Sequence, residues 1–91
     1  MKIKYIENFE KKLFDYLTKS FMAKYVLHLG STIEISNHCS RVSLNIDDVN
    51  NKVIFYDRGV KVTELDADFY DEDIYMVHIA ELVNLFFKDL K

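Results

Sequence analysis

The sequence contains no proline, no tryptophan, two glycines and a single cysteine, Cys39, in 91 residues. One cysteine excludes an internal disulfide, and because small secreted domains usually depend on such bonds, a reducing cytoplasm is favoured. Two glycines cannot build the glycine-rich loops that bind nucleotide phosphates. The lack of proline-rich or glycine/serine-rich runs predicts one domain without a linker, covering residues 1–91.

Long apolar runs and basic clusters are missing as well. The apolar stretches are short and interrupted, so no segment is predicted to span a membrane. The first residues lack the apolar core and cleavage site of a signal peptide. The bases are scattered among acids and the isoelectric point is about 5.5, which disfavours direct binding to nucleic acid.

The charge that is present is distributed unevenly. Residues 1–61 carry ten bases and seven acids, a net of +3, whereas residues 62–91 carry two bases and eight acids, a net of −6. No lysine or arginine occurs in residues 62–87, and the ten residues 64–73 contain six carboxylates and two adjacent aromatic side chains. Such asymmetry indicates an interaction surface.

The beginning of the chain has helical periodicity. Apolar residues recur at spacings of three and four between residues 6 and 17, with charged residues on the other side. We expect a helix that ends at about residues 19–23. The next run, residues 21–29, either continues this helix to Gly30 or contains a first strand at residues 25–29.

The middle of the chain alternates between apolar and polar residues, which is typical of strands with one buried face. Residues 53–56 are apolar on both faces, as in a central strand, and residues 60–65 alternate with Lys61 and Thr63 outward. Turn-forming residues separate these runs and favour hairpins. We therefore expect an antiparallel meander of three to five strands.

The end of the chain has the strongest helical pattern. Apolar residues step by three or four from Tyr75 to Leu90. Acidic residues 71–73 before the pattern and Lys88 and Lys91 at its end match the helix dipole. Both helices should pack on one face of the sheet, which gives a two-layer α+β domain.

The acidic run has two interpretations. In one, residues 71–73 begin the last helix and satisfy its free amides, while the other acids solvate a loop. In the other, clustered carboxylates imitate a phosphate backbone and bind a basic groove, with the adjacent aromatics as anchors. Because the helix accounts for residues 71–73, residues 64–70 carry most of the functional signal. The candidate partner-binding residues are Glu64, Asp66, Asp68, Phe69, Tyr70, Asp71 and Asp73.

Patterns for metal binding and catalysis are incomplete. A calcium loop that starts at Asp66 would place Tyr70 at position five, and it lacks the glycine at six and the glutamate at twelve. His38 and Cys39 offer two soft ligands where zinc needs three or four, and as neighbours they do not make a catalytic dyad. We expect no metal, no cofactor and no enzymatic activity.

Aromatic residues crowd the first third of the chain, and one helix face cannot bury them all. Either the first helix is buried on two sides, or part of it forms a homodimer. The residues concerned are Tyr5, Phe9, Phe14, Tyr16, Phe21 and Tyr25.

The small size, the acidic balance, the helix–meander–helix layout and the segment 66–75 together resemble phage-encoded inhibitors of bacterial defence, notably anti-CRISPR proteins. The resemblance implies a non-enzymatic DNA mimic in the host cytoplasm, which blocks a basic site of a larger bacterial protein such as a CRISPR-Cas effector. One alternative is an immunity protein or antitoxin that neutralises a basic nuclease toxin. A small structural or oligomerisation domain is another.

Overall fold

Helix, sheet and helix follow one another along the chain. The computed structural model describes residues 1–21, 26–37 and 40–87. Its elements are a 3-10 turn at Ile3–Tyr5, α1 at Phe9–Ser20, β1 at Val26–Leu29, β2 at Thr32–Ser36, β3 at Arg41–Asp47, β4 at Lys52–Asp57, β5 at Val60–Asp66 and α2 at Glu72–Phe86.

The five strands form one antiparallel sheet in the order β1-β2-β3-β4-β5, so the predicted meander is confirmed. Of the two alternatives for residues 21–29, the strand is right, since α1 ends at Ser20 and Phe21 is already extended. Tyr25 lies outside the described residues. The predicted last helix is confirmed as α2, but its predicted end at Leu90 is wrong, because α2 ends at Phe86 and Phe87 is extended. Lys88 and Lys91 lie outside the described residues.

Backbone conformation at the turns explains two of the hairpins. Gly30 has φ +60° in the two-residue β1–β2 turn. In the β4–β5 turn, Arg58 and Gly59 both have positive φ, of 51° and 83°. Two successive positive φ angles match the right-handed twist of the flanking strands.

Strand β5 departs from simple alternation. Thr63 pairs with Phe55 and Lys61 pairs with Tyr56, so that Val62 is an extra residue in a β-bulge. Directly paired residues share a face of the sheet, and Phe55 is buried. The prediction that Lys61 and Thr63 both point outward is therefore wrong for Thr63, because the bulge shifts the register between them.

The core lies between one face of the sheet and the two helices, as predicted for a two-layer α+β fold. The sheet contributes alternate residues such as Ile33, Ile35 and Phe55, all fully buried. Phe9 of α1 packs against Tyr75 of α2, with ring centroids 6.2 Å apart. Burial of each such side chain stabilises the fold by about 1.5–3 kcal/mol.

Aromatic residues in and directly after α1 contact aromatic rings of other elements. Phe14 stacks on His28 of β1 with ring centroids 5.5 Å apart, and Phe21 meets the edge of Phe87 at 5.5 Å. Tyr5 remains 78% exposed. These contacts place Phe9, Phe14 and Phe21 within the fold, whereas burial of α1 on two sides and a homodimer both stay predictions.

Candidate partner-binding surface

The acidic run extends from β5 through a loop into α2, and its members have different surroundings. Glu64 lies on the open face of the sheet, where the ammonium groups of Lys61 and Lys52 are 2.9 Å and 3.1 Å from its carboxylate. Hydrogen bonds from Lys61 and then Lys52 lower the pKa of Glu64. Its charge is thus compensated within the chain.

Asp66 and Asp68 shape the loop between β5 and α2. The Oδ1 atom of Asp66 accepts a hydrogen bond of 2.8 Å from the backbone N–H of Asp68. The carboxylate of Asp68 accepts from Asn51 at 2.6 Å and from Lys2 at 3.3 Å. The bond from Asn51, followed by that from Lys2, lowers the pKa of Asp68. These two acids therefore have structural roles.

Asn51 connects the β3–β4 turn with this loop, although the sequence pattern indicates only a turn residue. It is 7% exposed and has a left-handed φ of 57°. Its Oδ1 atom accepts from the Ile3 N–H at 2.8 Å, and its Nδ2 atom donates to the Met1 carbonyl at 2.8 Å as well as to Asp68. Its own carbonyl accepts from the Ala67 N–H at 3.0 Å.

Further hydrogen bonds fix the backbone of the loop. The amino group of Met1 donates to the carbonyl oxygens of Ala67, Asp68 and Tyr70 at 3.0 to 3.1 Å. The Tyr70 N–H donates to the Ala67 carbonyl at 3.2 Å, which closes a turn around Asp68 and Phe69. The loop is therefore held by hydrogen bonds from the amino group of Met1 and from Asn51, as well as by its own turn.

The two adjacent aromatic residues point to different environments. Tyr70 packs into the fold, with ring centroids 5.6 Å from Tyr75 and 5.1 Å from His78. Phe69 is 98% exposed. Because burial of a phenylalanine is worth about 1.5–3 kcal/mol, the fold gains almost nothing from Phe69.

The first turns of α2 continue this exposed region. Ile74 is 50% exposed and Val77 is 42% exposed. Asp71 and Asp73 are exposed, and neither carboxylate has a hydrogen bond or ion pair among the described residues. We call the set Phe69, Asp71, Asp73, Ile74 and Val77 the acidic–apolar surface.

The start of α2 therefore differs from the sequence interpretation. Asp71 occupies the N-cap position, but its side chain makes no capping hydrogen bond, so the expectation that it satisfies the helix amides is wrong. Glu72 is paired with Lys12 of α1 at 3.4 Å. The uncompensated acids are thus Asp71 and Asp73, while Glu64, Asp66 and Asp68 have partners in the chain.

Among the described residues, the histidines lie apart from one another and from the acidic run's free carboxylates. His28 Nε2 lies 2.7 Å from the Gly30 carbonyl, and His78 Nδ1 lies 3.8 Å from Glu81. Within residues 1–21, 26–37 and 40–87, no group of three or more histidine, cysteine or acidic side chains is arranged to hold a metal ion. His38 and Cys39 lie outside those ranges.

A cavity of about 400 Å³ opens beside the 3-10 turn and the start of α1. Its charged walls mix both signs, with Lys4 beside Glu7, Glu10 and Asp48. This mixture distinguishes it from the acidic–apolar surface, which lies at the start of α2 and carries only negative charge.

No helix in the described part of the chain is both long and apolar enough to cross a membrane. The acidic–apolar surface is the candidate site because of its exposed apolar side chains and its two uncompensated carboxylates. No protein-family model, curated protein or solved structure matches this chain.

Proposed function

We propose that this protein is a non-enzymatic inhibitor that docks its acidic–apolar surface on a basic, nucleic-acid-binding site of a larger bacterial protein. The observation that carries the proposal is the 98% exposure of Phe69 in a loop held by hydrogen bonds. A large apolar side chain that an ordered loop presents to solvent adds almost nothing to the stability of the free protein and is available to stabilise a complex.

Preorganisation strengthens this argument. Binding usually costs free energy because loops and side chains lose conformational freedom at the interface. The loop that carries Phe69 is already ordered by Asn51 and by the amino group of Met1, so less of that cost remains. A buried aromatic anchor surrounded by polar contacts is the usual arrangement of an interface hot spot.

The sign of the charge selects the partner. Residues 62–87 contain seven acids and no base, and Asp71 and Asp73 lie uncompensated on either side of the helix start. A groove that evolved to bind phosphates carries lysine and arginine clusters, which such carboxylates attract and orient. Occupation of that groove would exclude nucleic acid.

Two target classes fit this chemistry. One is a CRISPR-Cas effector in a host cytoplasm, which the anti-CRISPR resemblance favours, and the other is a basic nuclease toxin neutralised by an immunity protein or antitoxin. Neighbouring genes would separate them, because a toxin reading frame next door favours the second. A structural or oligomerisation role is the remaining candidate and predicts a stable oligomer in light scattering.

The test uses a partner that the wild-type chain captures from host cytoplasm, identified and then purified. Phe69→Ala should raise the dissociation constant by at least about tenfold. The double variant Asp71→Asn/Asp73→Asn should slow association and flatten its dependence on salt. Nucleic acid should compete with the protein for the partner.

Matched controls come from the same chain. Leu29→Ala removes an exposed side chain, 74% exposed, at the opposite edge of the sheet, and Glu10→Gln/Asp15→Asn removes two exposed charges from α1. Both should leave affinity unchanged. If Phe69→Ala and the Asp71/Asp73 variant bind as tightly as these controls, the proposal is wrong.

A further inference from the structure

A shallow groove runs along the seam between α1 and α2. Its volume is about 280 Å³. Tyr16 and Phe21 form the wall on the α1 side, and Val77 and Ala80 form the wall on the α2 side. Ser20, Glu81 and Asn84 supply polar edges.

The groove is continuous with the acidic–apolar surface. Residues three or four apart lie on one face of a helix, so Asp73, Val77 and Ala80 follow one another along the same side of α2. Val77 belongs to both regions. From Asp73 to Asn84 this side of α2 is about 16 Å long, which equals three helical turns.

The charges beside the groove are unequal. On α2 the charged residues are Asp73, Glu81 and Glu72, of which Glu72 is paired with Lys12, and the helix has no lysine or arginine between residues 72 and 86. On α1, Lys12 is compensated by Glu72, and Lys19 lies near the end of the helix. The α2 side therefore favours cations.

We propose that this groove takes an amphipathic helix of the partner, whose apolar face enters the seam and whose lysine or arginine edge lies along α2. This inference rests on the proposed function and names the element of the partner that binds beside Phe69. A seam between two packed helices presents ridges and grooves that a third helix can match. Recognition of an amphipathic helix in an apolar groove is a recurring mode of protein binding.

A second copy of this chain fits the groove less well. Its α2 would bring Asp73 and Glu81 against the same acidic side, and like charges in contact are unfavourable. Light scattering of the free protein measures its molar mass and so shows whether a second copy occupies the groove. A dimer that Ala80→Arg dissociates would assign the groove to a second copy and overturn the proposal.

The direct test is an NMR titration with an 18-residue peptide of leucine and lysine arranged as an amphipathic helix. A scrambled peptide of the same composition is the matched control. Amide signals of residues 16–21 and 77–84 should shift with the amphipathic peptide, and Ala80→Arg, which fills the groove with a cation, should weaken binding at least tenfold. Equal binding by the scrambled peptide, or by Ala80→Arg, would overturn the proposal.

Variants in the purified partner complex separate the two proposals, once circular dichroism shows that each variant is folded. If Phe69→Ala loses affinity and Ala80→Arg does not, the groove proposal fails while the proposed function stands. If Ala80→Arg loses affinity and Phe69→Ala does not, the groove stands and Phe69 is not the anchor. If neither loses affinity, both proposals fail.

Discussion

The carboxamide of Asn51 donates a hydrogen bond of 2.6 Å to the carboxylate of Asp68. This bond joins the β3–β4 turn to the loop that presents Phe69, and the same side chain also binds the backbone of Met1 and Ile3. Three segments that are distant in sequence therefore meet at one buried amide.

Two replacements of Asn51 should separate the stability that comes from its side-chain hydrogen bonds from the stability that comes from its backbone conformation. Asn51→Gly removes three hydrogen bonds but keeps a residue that accepts φ 57°. Since each bond contributes about 0.5–1.5 kcal/mol, we expect a loss of about 2–4 kcal/mol in the free energy of unfolding by urea. Asn51→Ala should cost about 1 kcal/mol more, because alanine resists positive φ. Wild-type stability in the glycine variant would contradict the role of the side chain.

Acid should weaken the loop through Asp68. The hydrogen bond from Asn51 keeps the pKa of Asp68 below its ordinary value of about 3.9. The folded pKa is the lower one, so the ionised carboxylate stabilises the fold above about pH 4, and this contribution is lost as pH falls through the folded pKa. In urea unfolding, the gap between wild type and Asp68→Asn should shrink as the pH falls below about 4. A gap that stays constant down to about pH 2 would contradict this coupling.

Alkali should act through Tyr75, whose phenol is fully buried and donates to the Leu65 carbonyl. Burial raises the pKa of Tyr75 well above its ordinary value of about 10. Stability from the neutral phenol is complete below about pH 10 and is lost as pH rises toward the folded pKa. Tyr75→Phe should cost about 1–2 kcal/mol at pH 7, a deficit that narrows above pH 10. A deficit independent of pH in urea titrations would refute the link.

Phe69 and Tyr70 should respond oppositely to truncation. Phe69→Ala should change the free energy of unfolding by less than about 0.5 kcal/mol, because the side chain is exposed. Tyr70→Ala should cost about 1–3 kcal/mol, because the ring packs on Tyr75 and His78. Thermal unfolding of the two variants measures the difference. Equal losses would mean that Phe69 packs on the fold in solution.

Periodicity was sufficient to predict the meander and both helices, because one buried face imposes a spacing of two on strands and of three to four on helices. The bulge at Val62 was not predictable, because a strand with one inserted residue has the same kind of local sequence as a regular strand. Its consequence is that Thr63 lies on the face opposite to the one that simple alternation assigns.

The acidic run could be located from sequence but not divided correctly. Which acids are compensated depends on Asn51, Lys2 and Lys52, which approach from other segments of the chain. Local rules assign residues 71–73 to helix capping, yet the Asp71 side chain makes no such bond. The exposure of Phe69 likewise depends on tertiary packing, because Tyr70 packs against the fold and the adjacent Phe69 does not.

The meander also determines the order in which parts of the protein open. Each strand pairs with its neighbour in sequence, so the sheet depends on contacts of short range. The bonds between residues 1–3 and the Phe69 loop span up to 69 positions, and such closures carry a larger entropic cost. Regions held by few distant bonds unfold locally before the global transition. In hydrogen exchange, the Phe69 loop should therefore lose protection while the sheet keeps it, so that mild heating abolishes binding before the protein melts.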